Sequence, residues 1–254
     1  MKLRAFTRAV SPKLAECELT HLERTPIDAD RAVAQHGAYE AELKRAGYEL
    51  IRLPDLPHHP DGVFVEDTAL LLGGHAVILR PGVESRAAET ESTTAGLADH
   101  FEIHRVTSGH VDGGDVLRIG NRLYVGLSTR SDAEGVADLR KIVAPLGFEV
   151  VSAQLRDCLH LKTGATLASE SLLLYAPLSI DPAQFADVEP FAVDANEPSA
   201  ANCLRLADRI ILPVDATRTA SRLRDRGLNV VQVDVSELQK AEAGLTCMSL
   251  IEAG

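Results

Sequence analysis

A thiol, an imidazole and three carboxylates recur through this 254-residue chain at nearly even spacing. The positions are the pair Glu66 and Asp67, then Asp112, His160, Asn202 and Cys247, at steps of 46 (from Glu66), 48, 42 and 45 residues. Together they supply the parts of covalent catalysis: a cysteine nucleophile, a histidine general acid and base, and a carboxylate to orient the ring. Taken singly, each has a plainer reading. A lone cysteine is more often a small buried apolar residue, and this is the reading for Cys17 and Cys158. A histidine with leucine on either side, as at His160, usually makes a structural hydrogen bond, Gly113-Gly114 marks a tight bend, and Glu66-Asp67 caps a turn. Only convergence makes these residues a site, so the elements that carry them decide the matter.

Those elements repeat. The chain divides into five units of about 51 residues, each reading as strand, strand, helix, strand. The clearest unit has strands at 109–120 and 122–128, a helix after Ser131 and a strand at 148–154. In its helix Ser131 and Glu134 have capping-box spacing, Val136, Leu139 and Val143 mark one face, and Gly147 is the stop. The unit before it has strands at 63–72, 75–81 and 101–106 around a helix at 85–100. The unit after has strands at 160–169, 171–178 and 190–195 with a short helix opened by Asp181-Pro182. A fourth has strands at 201–208, 209–215 and 229–235 and a helix from Thr217 to Arg226 stopped by Gly227. The fifth begins with a strand at 245–253, and its missing pieces lie at the other terminus. These are a strand at 1–10, a helix at 28–46 with Val33, Leu43 and Ala46 on one side, and a strand at 48–54. An array that starts with the end of one unit and finishes with the start of another predicts a closed ring, in which the first strands meet near one axis. An open α/β sheet is the alternative that the same alternation permits.

Composition narrows the ligand class. With 26 Lys+Arg against 37 Asp+Glu the net charge is −11, and no basic run offers a surface to nucleic acid or anionic membrane. The longest largely apolar run, residues 69–79, is 11 residues, against roughly 20 needed to span a bilayer. The N-terminus has no signal-peptide core, and the four cysteines form neither a Cys-x-x-Cys nor a tight framework, so the expected location is the reducing cytoplasm. Dinucleotide, phosphate-loop, serine-elbow and zinc-protease motifs are absent from the sequence. His100 and His104 have metal-like spacing and His58-His59 are adjacent, but they read as strand onset and exposed turn. No metal or organic cofactor is expected.

The ordered motifs carry more. Asp61-Gly-Val-Phe-Val-Glu-Asp67, Arg80-Pro-Gly with Ser85-Arg86, Val111-Asp-Gly-Gly-Asp115, Gly126-Leu-Ser-Thr-Arg130, Leu159-His-Leu-Lys162, Ala200-Ala-Asn-Cys203 and Leu245-Thr-Cys-Met-Ser249 run through nearly the whole chain. In these the sequence resembles the dimethylarginine dimethylaminohydrolases, within the guanidino-group-modifying pentein superfamily. The resemblance implies an α/β fold, a five-bladed ββαβ propeller with pseudo-fivefold symmetry, forming one domain over residues 1–254 and closed by its N- and C-terminal segments. It implies hydrolysis of N-omega-methylated arginines to citrulline and (di)methylamine. Cys247 would be the nucleophile, His160 the general acid and then base, and Asp112 the carboxylate positioning imidazole and substrate. Asp67 would hold the guanidinium, supported by Glu66, while Arg86 and Arg130 clamp the α-carboxylate. Asp61, Phe64 and the backbone at Leu19 and Ala241 complete the expected substrate-binding set. Position 112 is Glu in some members and Asp here. The expected partner is a small guanidino amino acid, with neither nucleic acid nor membrane, and a homodimer is the candidate assembly.

The chemistry agrees with that assignment. A guanidinium carbon is a poor electrophile because its charge is delocalised, so a site must localise the charge and supply a strong nucleophile. A thiol of ordinary pKa, about 8.5, is mostly protonated at neutral pH, and a bound cation beside it favours the thiolate. Two other readings stand beside this one. One is an arginine deiminase or related guanidino or ureido hydrolase, although unit spacings of 42 to 48 leave no room for the inserted helical domain of the larger deiminases. The other is a catalytically idle binding ring.

Overall fold

The computed structural model describes residues 3–252. Met1 and Lys2 of the expected opening strand, and Ala253 of the closing one, lie outside the described residues. The chain begins with β1 (Arg4–Thr7), α1 (Ala29–Arg45) and β2 (Glu49–Arg52), with β1 and β2 paired in parallel. The next unit is β3 (Ala69–Leu72), β4 (His75–Ile78), α2 (Glu89–Leu97) and β5 (Glu102–Arg105). It is followed by β6 (Val116–Ile119), β7 (Arg122–Leu127), α3 (Ala133–Val143) and β8 (Glu149–Gln154). A one-turn helix α4 (Leu161–Gly164) precedes β9 (Ala165–Leu167), β10 (Leu172–Tyr175) and β11 (Glu189–Ala192), whose crossover holds only a 3₁₀ turn, Pro182–Gln184. The last full unit is β12 (Leu204–Arg205), β13 (Ile210–Pro213), α5 (Thr217–Asp225) and β14 (Val230–Val233). After α6 (Ser236–Gln239), the final strand β15 (Leu250–Ile251) pairs antiparallel with β1.

The result is five separate three-stranded sheets, each with an antiparallel first pair and a parallel second pair. An open sheet is therefore ruled out. One sheet is made from both chain ends, in the order β15-β1-β2. An axial cavity of about 280 Å³ is lined by Leu71, Leu117, Leu167, Leu204 and Ile251, one from each first strand, so these strands converge on a common axis. Among the described residues no helix is long and apolar enough to cross a membrane.

The core lies in wedges between neighbouring sheets and the outer helices. Val136, Leu139 and Val143 of α3, on the face the sequence marks, pack with Leu72 and Val77 of one sheet and Leu123 and Val125 of the next. Each such fully buried aliphatic side chain contributes roughly 1.5–3 kcal/mol. Asp28 caps α1 by accepting the Arg31 N–H, and Gly47 follows with φ +88°.

The structure corrects several local expectations. Val33 is 53% exposed, because the buried stripe of α1 runs through Ala32, His36, Tyr39 and Leu43, spacings that hold one helical face. Ser131 does not cap α3; Asp132 does, accepting the Gly135 N–H, while the Ser131 hydroxyl turns inward to Asp115. The helix expected at 85–100 is a 3₁₀ turn, Glu84–Arg86, then α2, with Arg86 and Glu89 both directed inward at the break. The first strands are also shorter than their apolar runs. Val65–Thr68 and Gly113–Asp115 are 3₁₀ turns, so the recurring polar residues stand in the turn before each first strand, not on the strand.

Candidate active site

His160 stands at the N-terminus of α4, where its ring is held from behind. Its Nε2 meets Asp112 Oδ2 at 3.0 Å, and both side chains are buried. Asp112 is fixed in turn: Oδ1 accepts the Gly82 N–H at 2.8 Å and its own N–H donates to Ser131 Oγ. Burial works against a charged imidazole, but the carboxylates of Asp67, Asp115 and Asp112 outweigh it and hold the His160 pKa at about 9. The ring is thus an acid at neutral pH. Close packing keeps it there, since a Cβ on Gly114 would lie 2.6 Å from His160 Nδ1.

Asp67 is the fixed negative charge beside it. Burial opposes ionisation, yet His160, the Arg86 guanidinium and the Gly114 N–H together bring its pKa down to about 2. Gly114 N–H donates to Oδ1 at 2.9 Å and Arg86 Nη1 to Oδ2 at 2.6 Å. Arg86 is otherwise committed to Glu89 and to the Phe64 carbonyl, the latter at 2.8 Å. Asp61 is pushed up to about 6 by burial, against the pull of Arg86 and the Glu18 N–H. Cys247 Sγ accepts the Gly244 N–H at 3.3 Å, and burial, reinforced by Glu66 and Asp67, pushes its thiol well above the ordinary range.

Cys247, His160, Asp67, Asp61, Phe64, Arg86, Arg130 and Ala241 all line one cavity of about 30 Å³, joined by Glu18 and Glu242. That is room for little more than a water molecule. The cavity is covered by the segment after Cys17. Glu242, in a left-handed conformation at φ 58°, accepts the backbone N–H groups of Thr20, His21 and Leu22, and Arg130 Nη2 donates to Thr20 Oγ1 at 2.7 Å. Three expected site residues lie elsewhere. Asp112 is behind the imidazole, and Leu19 is partly buried against the core cluster containing Cys17 and Val63 instead of lining the cavity. Glu66 faces the axis. It pairs with Lys162 and accepts the Thr246 hydroxyl at 2.6 Å, while Asn202 bridges to Thr246 and to the Lys162 carbonyl. Glu66, Lys162 and Thr246 line the axial cavity, and Asn202 ties two of them together.

Such a cavity combines a neutral thiol, an imidazolium and an ionised carboxylate, an arrangement suited to a cation that activates its own attacker. The comparisons agree with this chemistry. The family model described as arginine deiminase matches residues 57–197, more than half of the chain. An N(G),N(G)-dimethylarginine dimethylaminohydrolase of Streptomyces coelicolor is 37% identical over 251 residues, covering 97% of this chain and 96% of its own. The chain belongs to the dimethylarginine dimethylaminohydrolase family. Another member, from Pseudomonas aeruginosa, is 34% identical over 226 residues, 88% of this chain and 89% of its own. A solved Pseudomonas aeruginosa structure of the family, a cysteine-to-serine mutant complexed with citrulline, superposes with TM-score 0.92 at 31% identity over 99% of this chain and 100% of that one. A dimethylarginine dimethylaminohydrolase structure described as a histidine-to-glycine adduct with S-methyl-L-thiocitrulline gives the same TM-score, 0.92, at 32% identity, again over 99% and 100%. The five-bladed ββαβ pentein is therefore the fold.

Several residues of this family member escaped the sequence reading. Asp115 accepts the hydroxyls of Ser128 and Ser131 and the Leu161 N–H, tying the turn at Asp112 to the turn at His160. Its place in the Asp112-Gly-Gly-Asp115 motif was the available signal. Thr246 stands in the Leu245-Thr-Cys-Met-Ser249 motif, whereas Glu89 and Glu242 act on other residues of the site and carry no such mark.

Proposed function

We propose that this chain hydrolyses N-omega-methylated arginines to citrulline and a methylamine through a covalent intermediate on Cys247. The observation that carries the reading is the meeting of the Cys247 thiol, the protonated His160 and the ionised Asp67 in one small cavity. Asp67 holds the substrate guanidinium and localises its charge. The bound cation beside the thiol reverses the effect of Glu66 and Asp67 and favours the thiolate, the thiol proton passing to solvent. Sγ then attacks the guanidinium carbon, and His160 gives its proton to the methylated nitrogen as the carbon–nitrogen bond breaks. Dimethylamine leaves, and an S-alkylthiouronium remains on Cys247. Neutral His160 takes a proton from water, the hydroxide adds to the same carbon, and the carbon–sulfur bond breaks to release the thiolate and protonated citrulline, whose proton passes through solvent to dimethylamine. The sum is substrate cation plus water giving citrulline plus dimethylammonium.

Asp112 orients the ring throughout. Arg130 takes the substrate α-carboxylate, and Arg86 joins it by exchanging one of its bonds to Asp67 or Glu89. Asp61, Phe64 and Ala241 line the amino-acid end, and Leu19 reaches it when the covering segment moves. Glu66 supports Asp67 from the axis through its pair with Lys162. A free Cys247 thiol fits a reducing cytoplasmic setting; all four cysteines are unpaired. Mass spectrometry of enzyme quenched during turnover of dimethylarginine should find an adduct on Cys247. Cys247→Ser should lose turnover and retain binding, and full activity in that variant would refute the thiol route. The match to the arginine deiminase family model favours unmodified arginine as the second reading. Comparison of ammonia and dimethylamine release decides between them, and faster release from arginine overturns the first.

A further inference from the structure

The parallel pairing of β4 with β5 sets His75 opposite Glu102 and Val77 opposite His104, so His75, Glu102 and His104 share one face of the sheet. His75 Nδ1 and His104 Nε2 lie 3.1 Å apart. Glu102 completes a triangle, with Oε2 3.4 Å from His75 Nδ1 and Oε1 3.7 Å from His104 Nε2. The histidine side chains are 32% and 26% exposed and the glutamate 69%, so the face is open to solvent next to the Gly73-Gly74 turn. None of the three lines the catalytic cavity.

A hydrogen bond alone leaves this triangle unbalanced. One ring can donate N–H to the other, but that single proton lies on the edge between the rings and leaves both nitrogen–carboxylate edges without one. A cation at the centre satisfies all three. Two ligands of a tetrahedral ion at 2.0–2.1 Å stand about 3.3 Å apart, and the three edges bracket that spacing. Two imidazoles and one carboxylate suit a divalent transition ion, while magnesium and calcium prefer oxygen alone. The His100/His104 spacing in the sequence named the wrong partner, because His100 Nδ1 lies instead against Arg4 Nη1.

We infer that His75, Glu102 and His104 form a surface site for a divalent transition-metal ion of the zinc class, separate from the catalytic cavity. Strand pairing holds the ligands in place, so binding clamps β4 to β5. The test is calorimetric titration of chelator-treated protein with zinc chloride. It is done in a Cys247→Ser background, which removes the catalytic thiol as a competing ligand. One equivalent should bind at this face and be lost, or weakened at least about tenfold, on adding His75→Ala or His104→Ala, with Glu102→Gln losing less. Zinc should also raise the melting temperature of the background protein and not that of its His75→Ala form. His75→Ala alone, with Cys247 intact, should keep full turnover, which shows that the variant is folded. Zinc binding unchanged by both histidine substitutions, or absent from the Cys247→Ser protein, overturns the proposal.

Discussion

His160 is the group whose charge sets the pH range of the proposed chemistry. With a pKa of about 9, it is a competent acid below that value, so kcat/KM should fall as pH rises through about 9. Asp112→Asn removes one source of that elevation. The alkaline limb should then move toward the ordinary imidazole value of about 6.5, and an unmoved limb would show that the pair does not govern the proton. The same shifts have a stability sign. His160 is raised above its unfolded value, so its contribution is complete below about pH 6.5 and is lost as pH rises through about 9. Asp67 is depressed, so its contribution is present above the ordinary carboxylate range and is lost as pH falls through about 2. Packing allows a second test. Gly114→Ala drives a methyl against the imidazole and should cost about 100-fold in kcat through misplacement. Circular dichroism should show the fold intact. At this scale the sequence exposed Asp112, His160 and Cys247, because their even steps reflect a repeat. It concealed Glu89 and Glu242, which serve neighbouring groups and stand in none of the ordered motifs.

At the scale of elements, a single turn before each first strand does the positioning. The run Val63-Phe-Val-Glu-Asp-Thr-Ala-Leu-Leu-Leu72 reads as strand because its apolar residues are dense. It folds as a turn at Val65–Thr68 because the Thr68 hydroxyl donates to the Val65 carbonyl at 2.6 Å, a local bond that competes with strand pairing. A neighbouring turn also comes very close, leaving no space for a side chain on Gly113 beside the Glu66 carbonyl. Such contacts join residues about 46 positions apart, and a window of local pattern does not contain them. The cover over the cavity is the other functional element. Its main hold is the Glu242 carboxylate on three backbone N–H groups, and Glu242→Gly removes that hold while suiting the left-handed backbone. KM should rise and protease cleavage between residues 17 and 25 should quicken, with bound substrate slowing it again. Unchanged cleavage would mean that the hold lies elsewhere.

For the whole molecule, the Glu66 and Lys162 pair lines the axial cavity and is tied together by Thr246 and Asn202. Lys162→Met strands Glu66 without its cation and should cost about 3–5 kcal/mol in urea unfolding. Adding Glu66→Gln should recover much of it, and additive losses would show that the two side chains act independently. The ring itself was legible early, since a unit that begins at one terminus and ends at the other has few ways to pair. Its boundaries were not, because Val33 and the apolar runs before each first strand satisfy local patterns that tertiary contacts override.

The sheet made from both chain ends also has a kinetic meaning. Ala5 pairs with Ile251, whereas Ala69 pairs with Ile78. Closing the longer loop directly from an unfolded chain costs about 3 kcal/mol more in entropy. The four local sheets should therefore form first and draw the ends together. Cys247 lies just ahead of β15 and reaches the catalytic cavity only with that last sheet. During refolding, secondary structure should recover before thiol-dependent turnover, and the delay between the two would time the closing of the ring.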